Sequence, residues 1–180
     1  KEFNLMKKIG IISDTHSFWD DSFEKYFSNC DEIWHAGDIG DLKITDQLNN
    51  IAPVKGVYGN IDNDKIRQEF PLNQHIEFGN HKVLMTHIGG KPYNYYKNCK
   101  EEIEKFKPTI FVCGHSHICK VIYDKKFNML YINPGAAGIV GFHKVRTIIR
   151  FELHLETIKN LEVIELKKRS ALPKSIQRTN

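Results

Sequence analysis

The feature that most constrains this chain is a set of polar residues that recurs where short apolar segments end. The segments are rich in isoleucine and valine, and an aspartate, glycine, asparagine or histidine follows each of them directly. This alternation is typical of an α/β sheet, whose ligand sites lie at the carboxyl ends of its buried strands. The motifs are, in chain order, Asp14-Thr15-His16, Gly37-Asp38, Gly59-Asn60, His87 and Gly114-His115-Ser116-His117.

The first three motifs are evenly spaced. Asp14, Asp38 and Asn60 are separated by 24 and 22 residues, and each interval has room for a loop, a short helix and a return strand. We therefore expect parallel strands that bring the three motifs to one edge of a sheet. The predicted elements are strands over 8–13, 32–36 and 53–58, with helices over 19–28 and 41–50.

The second half of the chain has a different pattern. Gly79-Asn80 between two alternating segments predicts a β-hairpin. The predicted elements are strands over 74–78, 81–86, 109–113, 119–123, 128–132, 145–153 and 160–166, a polar aromatic loop over 91–98 and a helix over 99–106. We expect a single domain over residues 1–180, with a core over about 7–166 and a flexible tail over 167–180.

Composition narrows the class of protein. A net charge of +4, with positive charges concentrated near the C-terminus, does not favour nucleic-acid binding. Four cysteines without a Cys-x-x-Cys pair predict reduced thiols and a cytoplasmic location. No apolar run approaches the roughly 20 residues of a membrane helix, so we expect no membrane partner.

Carboxylates, imidazoles and an amide oxygen together suit borderline divalent ions such as Mn²⁺, Zn²⁺, Fe²⁺ or Ni²⁺. Taken singly, Asp-x-His, Gly-Asp and Gly-Asn are ordinary turn sequences, and a lone histidine is more often structural. Their common position at predicted strand ends favours one metal site over coincidence. A carboxylate such as Asp38 can bridge two ions, and such a pair activates water and clamps a phosphoryl group.

The order Asp-x-His, Gly-Asp, Gly-Asn, His and Gly-His-x-His resembles the signature of the calcineurin-like metallophosphoesterase superfamily. The opening Ile-Gly-Ile-Ile-Ser-Asp-Thr-His, the chain length and Asn133-Pro134-Gly135 resemble its small, single-domain phosphodiesterase branch. The resemblance covers about residues 7–166. It implies an α/β fold in which two mixed β-sheets are flanked by helices, a four-layer αββα sandwich with a dinuclear centre at the sheet edges.

The resemblance also implies roles for individual residues. One ion would be held by Asp14, His16, Asp38 and His117, and the other by Asp38, Asn60, His87 and His115. Asp38, Asn60 and His87 are the expected catalytic residues, and Mn²⁺ is the expected metal. The implied activity is hydrolysis of a phosphate diester, a small molecule or a nucleotide, by a metal-bound hydroxide. Whether the chain forms a homo-oligomer is left open by the resemblance.

Two positions depart from the family pattern. Many relatives carry histidine after Gly-Asn, where it contacts the phosphate and can protonate the leaving group, whereas this chain has Ile61. We therefore predict reliance on metals and a preference for substrates with good leaving groups. After His87, relatives of this size often read His-Gly-His, and here Lys91 and Tyr93 are candidate substrate contacts instead.

Two further residues are candidates for a supporting role around the ligands. Asp62 follows the acidic pattern after Gly-Asn and could orient a ligand, with a simple turn residue as the alternative. His35 precedes the Gly37-Asp38 turn and could also support a ligand, with a core histidine as the alternative.

Two other functions compete with the phosphoesterase. One is a protein-interaction scaffold on the same fold, like the weakly active or inactive subunit of the retromer complex. The absence of a histidine at position 61 keeps this alternative open. A full set of ligands argues against a pure scaffold. The other is a nuclease, for which only the 91–97 loop suggests the required stacking aromatics.

Overall fold

Two five-stranded mixed sheets form the centre of the computed structural model, which describes residues 5–141 and 143–168. In the first sheet, three neighbouring strands are parallel to one another. A fourth strand pairs antiparallel with the first of these, and a fifth pairs antiparallel with the fourth. Its strands, in spatial order, are β12 (Ile158–Glu165), β11 (Thr147–His154), β1 (Met6–Ile12), β2 (Glu32–His35) and β3 (Val54–Gly56).

The second sheet also has a parallel centre, with an antiparallel strand at each edge. Its strands, in spatial order, are β4 (Asn73–Phe78), β5 (His81–Thr86), β8 (Ile110–Val112), β10 (Met129–Pro134) and β9 (Cys119–Asp124). A two-stranded hairpin of β6 (Gly90–Lys91) and β7 (Asn94–Tyr95) stands beside it.

Three apolar layers hold these sheets together, and strand alternation decides which side chain enters which layer. Ile9 and Ile11 of β1 point into the layer between the two sheets, whereas Ile12 points to the helices outside the first sheet. The helices on that side are α1 (Ser22–Phe27), α2 (Leu42–Ile51) and α3 (Asp64–Glu69), and α4 (Lys97–Phe106) covers the second sheet. The four-layer αββα prediction is therefore confirmed.

Element types follow the sequence predictions with two additions. The six-residue helix α3 was not predicted, since Ile66 is its only buried residue and a single apolar position has no period. Its start is fixed by the Asn63 side chain, which accepts a hydrogen bond from Ile66 N at 3.2 Å. The predicted 91–98 loop overlaps the β6–β7 hairpin, which begins at Gly90, and includes the first two residues of α4.

Among the residues that the structure describes, no helix is both long and apolar enough to span a membrane. All four cysteines are free, as predicted. The predicted flexible tail lies outside the described residues, except for 167 and 168, and residues 1–4 also lie outside them.

Candidate metal centre

Five strand ends from the two sheets deliver the predicted ligands to one place. Asp14 follows β1, Asp38 follows β2 and Asn60 follows β3, so the first sheet supplies three of the loops. The second sheet supplies the other two, with His87 directly after β5 and the Gly114–His117 turn after β8. Because all five strands are parallel within their sheets, their carboxyl ends meet at a single edge of the sandwich.

One half of the site consists of Asp14, His16, Asp38 and His117. A ligand atom from each of the four residues lies within 4.8 Å of the others. The Nε2 atom of His117 is 3.1 Å from Asp14 Oδ1, and the Nε2 atom of His16 is 3.6 Å from Asp38 Oδ2. Both aspartates are buried. The four side chains therefore form a compact cage of two carboxylates and two imidazoles.

The other half is built around the second oxygen of Asp38. His87 Nε2 lies 3.2 Å from Asp38 Oδ1 and 3.1 Å from Asn60 Oδ1. His115 Nδ1 lies 2.9 Å from the same Asn60 oxygen. Asp38 thus presents Oδ2 to one cluster and Oδ1 to the other, which is the placement that a bridging carboxylate requires.

The side chains that meet here fit divalent ions. Three buried atoms, Asp14 Oδ1, His16 Nε2 and His117 Nδ1, form no hydrogen bond. Buried polar atoms are rarely left in that state, so each needs a partner. In the second cluster, His87 Nδ1 donates its hydrogen to the carbonyl of Ala36 at 2.7 Å. Its Nε2 faces two oxygen acceptors, to which it donates when the ring is protonated, and a cation that replaced this proton would bind the same nitrogen.

The electrostatics of the site favour ionised aspartate. Burial disfavours the charged form of Asp38, but the interactions with His87, the hydrogen bond from Ile61 N and the charge of His16 together outweigh burial and lower the pKa of Asp38 below its usual value. Burial alone would lower the pKa of His87, yet Asp38 and Asp14 leave it raised. Burial lowers the pKa of both His16 and His115, which keeps these imidazoles in the neutral form that binds metals.

Left-handed backbone is concentrated at this edge. Asp14, His16, Asp38, His115 and His117 have φ values between 46° and 67°. Non-glycine residues adopt this conformation at a cost, and such strained residues cluster at active sites and ligand-binding turns. It also turns Asp14 and His16, and likewise His115 and His117, so that residues two apart in sequence face the same centre.

Gly59 leaves room for the Asp38 carboxylate. A Cβ atom at this position would lie 2.0 Å from Asp38 Oδ1 and 2.2 Å from the Asp38 backbone nitrogen. Both distances are far shorter than any real contact, and the backbone nitrogen has no freedom to rotate away. The glycine before Asn60 is therefore required by the close approach of two loops.

Asp62 ties two ligand-bearing loops together. Its Oδ2 accepts hydrogen bonds from Gly59 N at 2.7 Å and Ile39 N at 3.1 Å, and its Oδ1 accepts from Gly40 N at 2.7 Å. The carboxylate is buried. The loops after β2 and β3 carry Asp38 and Asn60, so Asp62 positions both of them through the backbone.

His35 supports the same region from inside the sheet. Its Nδ1 accepts from Gly37 N at 3.2 Å, and its Nε2 lies 3.0 Å from Thr15 Oγ1, whose hydroxyl donates to the carbonyl of Ile39. Complete burial lowers the pKa of His35 to about 4, so the ring is neutral. His35 therefore connects the loop after β1 with the loop after β2.

Two supporting residues were not identified from the sequence. Ser13 Oγ donates to Asp14 Oδ2 at 2.7 Å, and the fully buried Asn133 donates to the carbonyl of Gly114 at 2.8 Å and to Ser116 Oγ at 3.1 Å. Ser13 has a sequence signal, since it is a polar residue at the end of an apolar strand. Asn133 lies 19 residues from the turn that it supports, and only the fold brings them together.

Of the three remaining candidate positions, Ile61 and Lys91 lie beside the predicted ligands, whereas Tyr93 lies next to Asp124, which pairs with the first residue of β10 at the end of the sheet opposite the ligands. Ile61 is 47% exposed, and its backbone nitrogen donates to Asp38 Oδ1 at 3.1 Å. Lys91 lines a cleft that reaches His115, whereas Tyr93 is not one of that cleft's lining residues. Tyr93 is exposed, and its backbone nitrogen donates to Asp124 at 3.3 Å.

Comparison with known proteins gives a consistent result. Residues 6–156 match the model of the calcineurin-like phosphoesterase superfamily domain. A probable metallophosphoesterase from Methanocaldococcus jannaschii is 32% identical over 139 residues, which are 73% of this chain and 68% of that protein.

Two solved structures share the fold. One, described as a novel archaeal phosphodiesterase, is 24% identical with a TM-score of 0.66 over 88% of this chain and 99% of that one. The other is Vps29 from Entamoeba histolytica complexed with Zn²⁺, 17% identical with a TM-score of 0.64 over 88% of this chain and 98% of that one.

Proposed function

We propose that this chain, which belongs to the calcineurin-like phosphoesterase superfamily, is a phosphodiesterase with a dinuclear metal centre. The observation that carries the proposal is the convergence of seven side chains with oxygen and nitrogen donors at one sheet edge, four in the first cluster and three more around Asp38 Oδ1 and Asn60, with three buried polar atoms of the first cluster that have no hydrogen-bond partner. A purely structural turn has no need for such a set.

In this proposal the ligands divide between two ions. Asp14, His16 and His117 would hold the first ion, and Asn60, His87 and His115 the second, with Asp38 shared. Bound divalent ions supply Lewis-acid activation of water and neutralise charge on the phosphoryl group. Mn²⁺ is the metal that we propose, with Zn²⁺, Fe²⁺ and Ni²⁺ as alternatives that suit the same donors.

The chain's own residues supply orientation and charge. The hydrogen bond from His87 to Ala36 fixes the ring so that Nε2 faces the centre. Lys91, in the cleft next to His115, is placed to meet the negative charge of the substrate. Ile61 has no proton to give, so the leaving group must depart without help from that position.

The archaeal phosphodiesterase of similar fold supports the choice of diesters over monoesters. The Zn²⁺ complex of Vps29 supports a metal site on this fold. The same Vps29 structure is also the specific observation that favours the second candidate, a protein-interaction scaffold with weak or no turnover. The two candidates differ in turnover, not in fold or in metal binding.

The test is hydrolysis of bis-p-nitrophenyl phosphate by the metal-free protein with and without added Mn²⁺. We expect turnover that depends on Mn²⁺, is lost in Asp38→Ala and is retained in Asp46→Ala, which removes an exposed carboxylate from α2. Calorimetry would measure Mn²⁺ binding to each variant. Stoichiometric Mn²⁺ binding with no turnover of any diester or monoester would refute the enzyme and support the scaffold.

A further inference from the structure

Two clefts of equal size flank the metal centre. Each has a volume of 390 Å³, within the range of small-molecule sites, and Tyr96 lines both of them. One, which we call the apolar cleft, ends at Asn60 and His87. The other, the polar cleft, ends at His115. The ligands of the second metal position therefore lie between two separate spaces.

The apolar cleft has walls of large side chains. They come from the ends of four elements that are distant in sequence, namely Tyr58 after β3, Leu72 before β4, Ile88 after β5 and Tyr96 before α4. Leu72 is 56% exposed and Tyr96 is 58% exposed. Side chains of this size at the mouth of a cleft leave apolar surface in water, which a bound apolar group would cover.

One wall of the apolar cleft is braced. The guanidinium of Arg67 packs on the ring of Tyr58 at 4.8 Å from its centroid, and Arg67 Nε donates to the carbonyl of Asp62 at 2.7 Å. Asp62 in turn holds the loops of Asp38 and Asn60. The Tyr58 ring is thus anchored to the same support as the metal ligands.

Each cleft has one lysine among its lining residues, and the clefts differ in their other side chains. The apolar cleft has Lys97 and Thr86 together with the side-chain amides of Asn73 and Asn98, which can donate to and accept from the edge of a heteroaromatic ring. The polar cleft has the side chains of Lys91, Asn94 and Ser116, and three of its lining residues are glycines, namely Gly89, Gly90 and Gly114. It suits a small hydrophilic or anionic group.

We propose that the apolar cleft binds a flat aromatic arm of the phosphodiester, an aryl or nucleobase group, and that Leu72 and Tyr96 determine this selectivity. The inference rests on the proposed function. A monoester has one organic arm and a diester has two, and the centre has one cleft on each side. The aromatic ring lies against Tyr96 and Leu72, while the second arm extends toward Lys91.

The experiment compares two non-hydrolysable ligands that differ only in their arm, phenylphosphonate and methylphosphonate. Calorimetry on the Mn²⁺-loaded protein gives the dissociation constant of each, without any need for turnover. We expect phenylphosphonate to bind at least 10-fold tighter. In Leu72→Ala and in Tyr96→Ala, each with an unchanged circular dichroism spectrum, we expect the ratio of the two constants to fall below 3.

Two controls separate this effect from general damage. Val163→Ala removes an exposed apolar side chain from β12, outside the cleft, and should keep the ratio of the wild type. Lys91→Ala alters the polar cleft and should weaken both phosphonates by the same factor. A ratio near 1 in the wild type, or a ratio that Leu72→Ala and Tyr96→Ala leave unchanged, would overturn the inference.

The same preparation is assayed with bis-p-nitrophenyl phosphate, so the two proposals fail in different ways. Mn²⁺-dependent turnover together with equal binding of the two phosphonates would refute the aromatic cleft and leave the phosphodiesterase standing. An absence of turnover with every diester would refute the phosphodiesterase, whereas a 10-fold preference for phenylphosphonate in the same preparation would still show that the cleft binds an aromatic group.

Discussion

Replacement of Asp62 with alanine tests whether the proposed metal ligands depend on one buried carboxylate for their position. Asp62 is 3% exposed and accepts three backbone hydrogen bonds of 2.7–3.1 Å. A hydrogen bond to a charged group contributes about 1.5–3 kcal/mol, and a buried donor left without a partner costs about 1–3 kcal/mol. The three bonds share one carboxylate and are not additive. We therefore expect a loss of about 3–5 kcal/mol in the free energy of unfolding.

Asp62→Asn refines the expectation. The asparagine oxygen can take the place of Oδ2, where it keeps the bonds from Ile39 N and Gly59 N. Its amide hydrogens then face Gly40 N, which is also a donor. One bond is lost and two donors are opposed, so we expect about half of the alanine effect, roughly 2 kcal/mol.

The measurement is urea unfolding of the metal-free protein at pH 7, followed by circular dichroism, with Asp64→Ala as the control. Asp64 is an exposed acid in the first turn of α3, and its removal should cost about 0.3–1 kcal/mol. Mn²⁺ affinity of Asp62→Ala should also fall by about 10–100-fold, since Asp38 and Asn60 lose their support. An Asp62→Ala variant within about 1 kcal/mol of the Asp64→Ala control would refute the reasoning.

Three further predictions concern pH, packing and chemistry. Burial lowers the pKa of His35 from 6.5 to about 4, so the unfolded chain takes up a proton before the folded protein does as the pH falls. Urea unfolding should therefore show full stability above pH 6.5 and a loss of about 3 kcal/mol in the free energy of unfolding by pH 4. The loss should be shallower in His35→Gln, and equal slopes in the two proteins would contradict the role of His35. Gly59→Ala places a Cβ atom 2.0 Å from Asp38 Oδ1, so its Mn²⁺ affinity, measured by calorimetry, should fall at least as far as that of Asp62→Ala. In the control Gly56→Ala the new Cβ has contacts no shorter than 3.1 Å, and its Mn²⁺ affinity should stay within a few-fold of the wild type. Because Ile61 cannot protonate a leaving group, rates with a series of aryl phosphate diesters should rise steeply as the leaving-group pKa falls, and Ile61→His should flatten that dependence; a flat series in the unmodified protein would disprove it.

The strands and their polar ends were predictable because they depend on local pattern. A buried parallel strand is a short run of β-branched residues, and the 24- and 22-residue intervals have the length of a strand–helix–strand unit. The helix α3 was missed because a single buried isoleucine carries no periodicity. The β6–β7 hairpin was missed because two-residue strands leave almost no pattern.

The types of residue at the centre were also accessible from the sequence, but their support was not. Asp62 and His35 were open between supporting and simple structural roles, and their most distant partners, Ile39 N and Thr15 Oγ1, lie 23 and 20 residues away. Asn133 was not recognised as a partner of the Gly114 turn. Nothing in a local pattern records a hydrogen bond between loops that only sheet pairing brings together.

The sequence by itself determined the donors: which oxygens and imidazoles are present, in what order, and that each follows a strand. The tertiary structure decided how they meet, since two sheets must pack for the loops after β1, β2 and β3 to face those after β5 and β8. It also decided that Asp38 turns one oxygen to each cluster and that Tyr96 separates two clefts. The physical reason is distance along the chain: periodicity and turn chemistry act over a few residues, whereas the centre depends on contacts between segments as far apart as Asp14 and His115.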